Sequence, residues 1–203
     1  MPPRPALART AAACFALLTL AAAPAHAALK AGDAAPLFTA PASLDGKSFE
    51  YALAAGLKKG PVVVYFYPSA YTSGCNIQAH QFATHIDEFA AAGASVVGVS
   101  LDSIERLNKF SADPDYCAGK LAVASDADGR IAKSYDLRVI PRIPFVKDTR
   151  DQAIDHGFAE RTTFIVGPDG RIAATVGGAD PAVNVQQSLE RVRQLKPAAA
   201  AKH

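Results

Sequence analysis

A continuous run of apolar, β-branched and aromatic residues over 62–67 constrains the fold of this chain more than any other feature. Such a run is typical of a strand that is buried on both faces of a sheet, and a second buried strand is predicted over 94–100. Between them, residues 75–92 carry apolar side chains at three- and four-residue spacings, which predicts a helix that ends at Gly93. Buried strands that alternate with helices are typical of an α/β domain.

The rest of the chain continues this alternation and closes on a hairpin. The further predicted elements are strands near 37–39 and 48–51, a helix over 104–110, a strand over 121–124, a helix over 128–135, strands over 161–166 and 171–176, and a last helix that starts at Pro181. The turn residues 167–170 join the last two strands. We therefore predict an α/β fold with a central mixed β-sheet flanked by helices.

The first 27 residues match a secretory signal peptide. They contain Arg4 and Arg9 but no acidic residue, and an apolar run over 11–23 leads to the small-x-small sequence Ala25-His26-Ala27. An uncleaved membrane anchor is the alternative, but the run is too short to span a bilayer of about 30 Å. We therefore expect cleavage after Ala27, a periplasmic or otherwise exported protein, and no stable membrane contact after cleavage.

The charge of the remaining chain gives no reason to expect nucleic acid as a partner. The chain has 21 basic and 19 acidic residues, and removing the two arginines of the signal leaves 19 of each. A neutral body without a block of like charge attracts neither nucleic acid nor an anionic membrane. Half of the residues are apolar, as in globular proteins. We expect one domain over 28–196 and a disordered alanine-rich tail over 197–203.

The cysteine content excludes two kinds of small scaffold. The chain has three cysteines, of which Cys14 would leave with the signal, so that Cys75 and Cys117 remain. These are too few for a disulfide framework and lack the paired spacing of a structural zinc site. We expect no metal and no cofactor.

The segment 65–75 carries the most informative chemistry. A buried strand ends at Pro68, a short loop follows, and Cys75 lies in the first turn of the next helix, where unpaired N–H groups and the helix dipole favour a thiolate. Thr72 adds a hydroxyl and Gly74 allows a ligand to approach the backbone. The loop follows the carboxyl end of a central strand, where α/β sheets bind ligands. The alternative is that Cys75 is a buried small apolar residue.

These residues resemble a known family. The spacing Pro68-x-x-x-Thr72-x-x-Cys75 resembles the peroxiredoxin signature, and Tyr65-Phe66-Tyr67-Pro68 resembles the stretch that leads into it in the Q-type, or bacterioferritin comigratory, subgroup. Three further motifs, in the same order along the chain, are similar to the family: Gly32-Asp33-x-Ala35-Pro36, Ser125-Asp126-x-Asp128-Gly129 with Ala132-x-x-Tyr135, and Arg161-x-Thr163-Phe164-Ile165-Val166-x-Pro168-Asp169-Gly170.

The resemblance implies a thioredoxin-like fold and a thiol-dependent peroxidase. Such an enzyme reduces hydrogen peroxide and organic hydroperoxides through a cysteine sulfenic acid and is recycled by a thioredoxin-like or other dithiol reductant. Carried over to this sequence, the resemblance makes Cys75 the peroxidatic nucleophile and implies that Thr72 hydrogen-bonds the peroxide oxygens. Pro68 would shield the pocket, and Arg161 would face the thiolate. We expect the protein to act as a monomer.

Thiolate formation by itself is too small an effect to explain fast peroxide reduction. A thiol with a pKa of about 8.5 is roughly 3% ionised at neutral pH, so full ionisation gains at most about 30-fold, and part of that gain is lost in nucleophilicity. Donors that follow the charge from sulfur to the departing oxygen must supply the rest. Arg161, Thr72 and the backbone N–H groups of Gly74 and Cys75 are the candidates. The alternatives are a surface ion pair for Arg161 and an ordinary cap for Thr72.

Several polar residues near the motif are expected to be solvated and receive no role in catalysis: Glu50, Gln78, His80 and His85.

In many Q-type members a resolving cysteine follows the nucleophile by five residues, and that position is His80 here. The resemblance leaves Cys117 as a possible resolving thiol, since some members place it on that later helix. We expect residues 113–120, which include helix breakers, to be mobile. The alternative is an idle Cys117 in a one-cysteine enzyme.

Two other functions on a thioredoxin-like fold are weighed against the peroxidase. A thiol–disulfide oxidoreductase needs Cys-x-x-Cys, but the third residue after Cys75 is Gln78. An exported copper-binding module would use cysteines and a histidine as soft ligands. Only one cysteine is local, and His80 and His85 lie at helical positions that point away from Cys75.

Overall fold

The computed structural model describes residues 27–178 and 180–195 of the 203-residue chain. Apart from Ala27, the predicted signal peptide lies outside the described residues, and so does the predicted tail over 197–203. None of the helices in the described ranges has the length and apolar character needed to cross a membrane.

Nine strands and six helices form within the described residues. The strands are β1 (Thr39–Leu44), β2 (Lys47–Ala52), β3 (Val62–Phe66), β4 (Ser95–Ser100), β5 (Ala122–Ser125), β6 (Val139–Ile140), β7 (Phe158–Ala159), β8 (Thr162–Val166) and β9 (Ile172–Gly177). The helices are α1 (Leu53–Leu57), α2 (Ser73–Thr84), α3 (Ile86–Ala91), α4 (Ile104–Ala112), α5 (Arg130–Ser134) and α6 (Pro181–Gln194).

In the described part of the chain, seven strands form one mixed sheet in the order β2-β1-β5-β4-β3-β8-β9. Strand β4 pairs in parallel with β3 and with β5, whereas the other neighbouring pairs are antiparallel. Strands β6 and β7 form a separate two-stranded ribbon. The predicted α/β fold with a central mixed sheet flanked by helices is confirmed.

Strand β3 lies near the middle of the sheet, and all five of its residues are buried. Because side chains alternate across a strand, Val63 and Tyr65 pack on one face and Val62, Val64 and Phe66 on the other. Apolar residues of α2, α3, α4 and α6 cover the first face, and those of α1 and α5 cover the second. The loop that leaves β3 therefore enters α2 on the face that also contains α6.

Gly98 makes room for a large side chain on the first face. It pairs with Tyr65 across the parallel strands β3 and β4. A Cβ atom at Gly98 would lie only 2.5 Å from the ring of Tyr65. The glycine therefore allows the Tyr65 ring to lie flat over β4.

The element bounds differ from the sequence predictions in a few places. The predicted helix over 75–92 begins earlier, at Ser73, and is interrupted at His85, whose ψ of 10° is not helical. No Gly or Pro occurs at this break, so the apolar pattern predicts one continuous helix. Strand β1 overlaps the predicted strand near 37–39 only at Thr39, since its small residues and Pro41 carry little strand signal. Helix α1 and the strands β6 and β7 were not predicted, and the two residues of each of these strands are too few to show a period.

Candidate active site

Cys75 is the third residue of α2 and its side chain is 1% exposed. The N-cap residue Thr72 makes no capping hydrogen bond through its side chain. The first-turn N–H groups of Ser73, Gly74 and Cys75 therefore have no partner within the helix. The sulfur lies at the positive end of the helix dipole, beside N–H groups that are free to bind an anionic oxygen.

Arg161 reaches the sulfur from a neighbouring strand. It immediately precedes β8, and the start of β8 pairs with the end of β3 through Phe66 and Thr162. This pairing brings Arg161 beside the loop that leads to Cys75, and its Nη2 atom donates to Cys75 Sγ at 3.3 Å. The contact is a charge-assisted hydrogen bond rather than the surface ion pair that was the alternative.

Gly74 allows the guanidinium to approach this closely. A Cβ atom at Gly74 would lie 3.2 Å from Nη2 of Arg161 and 3.4 Å from Cγ of Pro181. Any side chain would therefore crowd the guanidinium and the start of α6. The sequence analysis expected Gly74 to allow a ligand to approach the backbone, whereas in the structure the close neighbour is the guanidinium of Arg161.

Thr72 and Pro68 flank the same loop, and both are partly buried. The hydroxyl of Thr72 donates to the carbonyl oxygen of Ser69 at 2.9 Å. Its proton is therefore engaged, so the prediction that Thr72 donates to the developing charge is wrong for this conformation. Its oxygen is left to accept a hydrogen bond from the O–H of a hydroperoxide. The structure thus brings Cys75, Thr72, Pro68 and Arg161 to one end of β3.

Gln78 was predicted to be solvated, and this prediction is wrong. Its side chain is 0% exposed, and its Oε1 atom accepts a hydrogen bond from Nη1 of Arg161. Positions three and four residues after Cys75 share its helix face, so Gln78 and Ala79 point into the same core. That spacing was the signal in the sequence. Glu50 and His80 are exposed and His85 is half-buried.

Cys117 lies in the turn after α4, and its side chain is 0% exposed. It belongs to the same apolar cluster as Cys75, and both described cysteines are free thiols. Burial, together with the negative charge of Asp113, raises the pKa of the Cys117 thiol. A protonated thiol is a poor nucleophile, so Cys117 is unreactive in this conformation.

The segment 113–120 forms a compact turn, whereas the sequence led us to expect a mobile one. Ala118 N donates to Asp113 O at 2.8 Å and Gly119 N donates to Ser111 O at 2.9 Å. Ala118 and Gly119 have positive φ values, 52° and 68°, which turn the chain back towards α4. The helix-breaking residues thus end α4 and close a hydrogen-bonded turn at the same time.

His80 lies within hydrogen-bond distance of this turn. Its Nδ1 atom lies 3.0 Å from the carbonyl oxygen of Asp115. Across the described residues, no group of three or more His, Cys, Asp or Glu side chains is placed to hold a metal ion.

Comparisons with known proteins agree with this geometry. A sequence profile described as the AhpC/TSA family matches residues 31–175. Peroxiredoxin Bcp of Escherichia coli (strain K12) is 33% identical over 144 residues, which are 71% of this chain and 83% of that protein. The chain belongs to the AhpC/TSA family of peroxiredoxins.

Solved structures support the same assignment for this peroxiredoxin. Peroxidoxin BcpB from Mycobacterium tuberculosis has a TM-score of 0.67 and 25% identity, with 83% of this chain and 99% of that chain covered. The bacterioferritin comigratory protein of Xanthomonas campestris, described for its alkyl peroxide reduction activity, has a TM-score of 0.60 and 26% identity over 75% of this chain and 89% of that chain. The predicted Q-type resemblance, thioredoxin-like fold and thiol-dependent peroxidase activity are confirmed.

In this peroxiredoxin, the loop before Thr72 is held by a buried carboxylate that sequence reasoning missed. Asp102 is fully buried just after β4. Its carboxylate accepts five hydrogen bonds, from Ala70 N (2.8 Å), Ser69 Oγ (3.0 Å), Ser100 Oγ (2.7 Å), Arg106 Nε (2.8 Å) and His156 Nε2 (2.9 Å). Arg106 also donates to the carbonyl oxygen of Ala70 at 2.8 Å. Asp102 and Arg106 therefore hold both the N–H and the C=O of Ala70.

The hydrogen bond between Asp102 and His156 shifts the pKa of each group in the direction that favours its charged form. Burial by itself would raise the pKa of Asp102, but the hydrogen bond and charge of His156, together with hydrogen bonds from Ala70 N and Ser100 Oγ, hold that pKa below its usual value. Burial by itself would lower the pKa of His156, but its bond to Asp102 raises the pKa above its usual value. Each partner thus favours the charged form of the other.

Replacing Asp102 by asparagine should lower the free energy of unfolding by about 3–5 kcal/mol, because His156 would be left largely buried without its anion and Arg106 would keep only its ion pair with Asp148 at 2.8 Å. Urea unfolding at pH 6 measures this loss. The matched control is Asp151→Asn, since Asp151 is an exposed carboxylate paired with Lys147, and it should change little. Equal stability of Asp102→Asn and wild type would contradict the structural role of the network.

The pH dependence of this loss has a definite sign. Because the pKa of Asp102 is lowered from 3.8, its contribution to stability is fully present above pH 3.8. It is lost as the pH falls through the lowered pKa of the folded state. Because the pKa of His156 is raised from 6.5, its contribution to stability is complete below pH 6.5. It is lost as the pH rises through the raised pKa of the folded state. The difference in unfolding free energy between wild type and Asp102→Asn should therefore be largest between these two pH values.

Proposed function

We propose that this peroxiredoxin works outside the cytoplasm as a two-cysteine hydroperoxide reductase, in which Cys75 attacks the peroxide and Cys117 resolves the product. One observation carries the proposal: Cys75 Sγ lies in the first turn of α2 and 3.3 Å from Nη2 of Arg161. A positive charge and unpaired N–H groups thus meet at the sulfur that would react.

In the first step, the Cys75 thiolate attacks the terminal oxygen of the hydroperoxide. A sulfur–oxygen bond forms, the O–O bond breaks, and the departing oxygen leaves as an alcohol or water once it has taken a proton. Arg161 Nη2 and the N–H groups of Gly74 and Cys75 donate to oxygens on which charge develops. Thr72, whose proton is engaged by Ser69, accepts the hydrogen bond of the peroxide O–H.

The substrates we propose are hydrogen peroxide and organic hydroperoxides. The relative from Xanthomonas campestris is described for alkyl peroxide reduction, which supports the organic class. The half-buried Pro68 stands at the start of the loop, where it would keep water from the sulfur.

In the second step, Cys117 would attack the sulfenic acid of Cys75, form a disulfide and release water. Both thiols belong to one apolar cluster, which also contains Tyr65. Both thiols are free and fully buried on separate elements, so we propose that the turn 113–120 or the first turn of α2 opens to bring the two sulfurs together. Opening exposes Cys117, returns its pKa towards the ordinary value and makes it a nucleophile.

Cys117→Ser should change the oxidised species without preventing the first step. One equivalent of hydrogen peroxide should convert wild type into a monomer with an intrachain Cys75–Cys117 disulfide. The variant should stop at a sulfenic acid that dimedone traps, or over-oxidise with further peroxide. Peptide mass mapping and a non-reducing gel distinguish these products.

The disulfide would then be reduced by a thioredoxin-like or other dithiol. If wild type and Cys117→Ser give the same oxidised species and the same turnover with dithiothreitol, Cys117 has no role in catalysis. The protein is then a one-cysteine peroxiredoxin that an external thiol recycles, while the role of Cys75 stands.

Export is proposed from the sequence of the first 27 residues. The mature N-terminus should be Ala28, since Ala25-His26-Ala27 is the small-x-small site that follows the apolar run. N-terminal sequencing of protein recovered from the cell envelope measures this. Ala27→Glu, which places a large charged residue at the site, should leave the precursor uncleaved. Recovery of wild type with Met1 or Pro2 at its N-terminus would contradict the proposal.

A further inference from the structure

A row of buried polar side chains lies behind Arg161 and reaches α6. Asn184 and Gln78 are both fully buried, although one lies on α6 and the other on α2. Gln78 Nε2 donates to Asn184 Oδ1 at 3.0 Å, and Gln78 Oε1 accepts from Arg161 Nη1. The row therefore links α6 to the guanidinium that contacts the Cys75 sulfur.

Only one orientation of the Asn184 and Gln78 amides satisfies all the hydrogen bonds of this row. Asn184 Nδ2 donates to the carbonyl oxygen of Val176 on β9 at 3.1 Å, and a carbonyl can only accept. The oxygen of Asn184 must therefore face the other way, where Thr163 Oγ1 (2.7 Å) and Gln78 Nε2 both donate to it. Gln78 is left with its oxygen towards Arg161.

We propose that Asn184 is a positioning residue for catalysis: it sets the orientation of the Gln78 amide and thereby holds Nη2 of Arg161 at the sulfur of Cys75. This inference rests on the proposed role of Cys75 as the nucleophile. Without Asn184, the Gln78 amide can rotate and present its NH2 group to the guanidinium. Two donors would then face each other, and Arg161 would turn away from the sulfur.

The placement of Asn184 explains how a residue on α6 can have this effect. Its backbone N donates to Asp180 O at 2.8 Å in the first turn of the helix, and its carbonyl accepts from Ser188 Oγ at 2.7 Å. Pro181, in the same turn, lies against Gly74 at the start of α2. The first turn of α6 is thus packed against the active-site helix α2. A small shift of this turn would move Asn184 and, through Gln78, the Nη2 donor of Arg161.

The test compares Asn184→Leu with a matched control on the same helix. Leucine has nearly the shape of asparagine but no polar atoms, and we expect the rate of Cys75 oxidation by hydrogen peroxide to fall about 10- to 100-fold. Ser188→Ala removes a fully buried hydroxyl one turn later that contacts the Asn184 backbone and not Gln78, so its rate should stay near that of wild type. Asn184→Asp keeps an oxygen towards Gln78 and, as the neutral acid, a donor towards Val176, so it should restore most of the rate.

A double-mutant cycle with Arg161→Met separates positioning from a merely structural role. If Asn184 acts through Arg161, Asn184→Leu should lower the rate in wild type and leave it unchanged in the Arg161→Met background. An equal loss in both backgrounds would overturn the proposal, and so would a wild-type rate in folded Asn184→Leu. Should that variant fail to fold, Asn184→Ser, which also lacks the amide, enters the same cycle with the same expectations.

Failure of the proposed function is a different result. Cys75→Ser with a parental peroxide rate would remove the nucleophile and the inference together. An unchanged rate in Arg161→Met would show that the guanidinium does no catalytic work and would overturn the role of Asn184 as well. A loss in Arg161→Met combined with additive losses for Asn184 overturns only the positioning role.

Discussion

Cys75→Ser should abolish peroxide reduction completely, because a serine hydroxyl is a far weaker nucleophile than a thiolate and cannot form a sulfenic acid. Cys117 cannot replace it, since the thiol is fully buried and burial, with the charge of Asp113, raises its pKa. The measurement is single-turnover consumption of hydrogen peroxide without reductant. Wild type should consume about one equivalent for each chain and Cys75→Ser none.

Cys117→Ser is the matched control for this experiment. It removes the other buried thiol of the described chain by the same chemical change, yet it should still consume the first equivalent of peroxide. Circular dichroism and urea unfolding establish that both variants are folded. Consumption of peroxide by Cys75→Ser at the wild-type rate would refute the assignment of the nucleophile.

Arg161→Met should lower the second-order rate constant with hydrogen peroxide by about 10²–10³-fold, the usual effect of removing one donor to a developing negative charge. Methionine replaces the partly buried stem of the arginine but brings no N–H group and no charge. The loss of stability should be limited to about 1–3 kcal/mol, because the variant leaves the buried Gln78 oxygen without its donor. Stopped-flow kinetics and urea unfolding measure the two effects.

Arg171→Met is the matched control. Arg171 immediately precedes β9, the other strand of the same hairpin, is exposed, and donates to the carbonyl oxygen of Gly32 instead of the site. Its rate constant should match that of wild type. A rate constant for Arg161→Met within about twofold of the control would contradict the argument that donors around the sulfur, rather than ionisation alone, produce the acceleration.

Most of the longer elements were predicted within a few residues of their true bounds, but β1 (Thr39–Leu44) overlaps the predicted strand near 37–39 only at Thr39. Strand β3 was recognised because five consecutive buried residues occur in a strand only when both faces are covered. Helix α2 was recognised from its three- and four-residue spacing, although its break at His85 was not, since backbone angles leave no mark on side-chain pattern. Strands β6 and β7, with two residues each, carry no pattern that could be detected.

The placement of Cys75 followed from local sequence, because a strand end, a short loop and a helix start lie within a few residues of each other. The proximity of Arg161 needed the family resemblance and then the pairing of β3 with β8, which brings residues 86 positions apart to 3.3 Å. For Cys117, helix breakers predicted where the chain turns but not that the turn is closed and the thiol buried. Burial depends on packing against other elements.

The sequence by itself determined the fold class, the loop that carries the reacting sulfur and the family to which the chain belongs, because these depend on short-range periodicity and on contiguous motifs. Only the tertiary structure decided what surrounds that sulfur. Gln78 forms a hydrogen bond with Asn184, which is 106 residues away in the sequence, and Asp102 forms one with His156, which is 54 residues away. The physical reason is that hydrogen bonds between buried polar groups depend on where α6 and the loop before β7 pack against the sheet, and no local spacing encodes that arrangement.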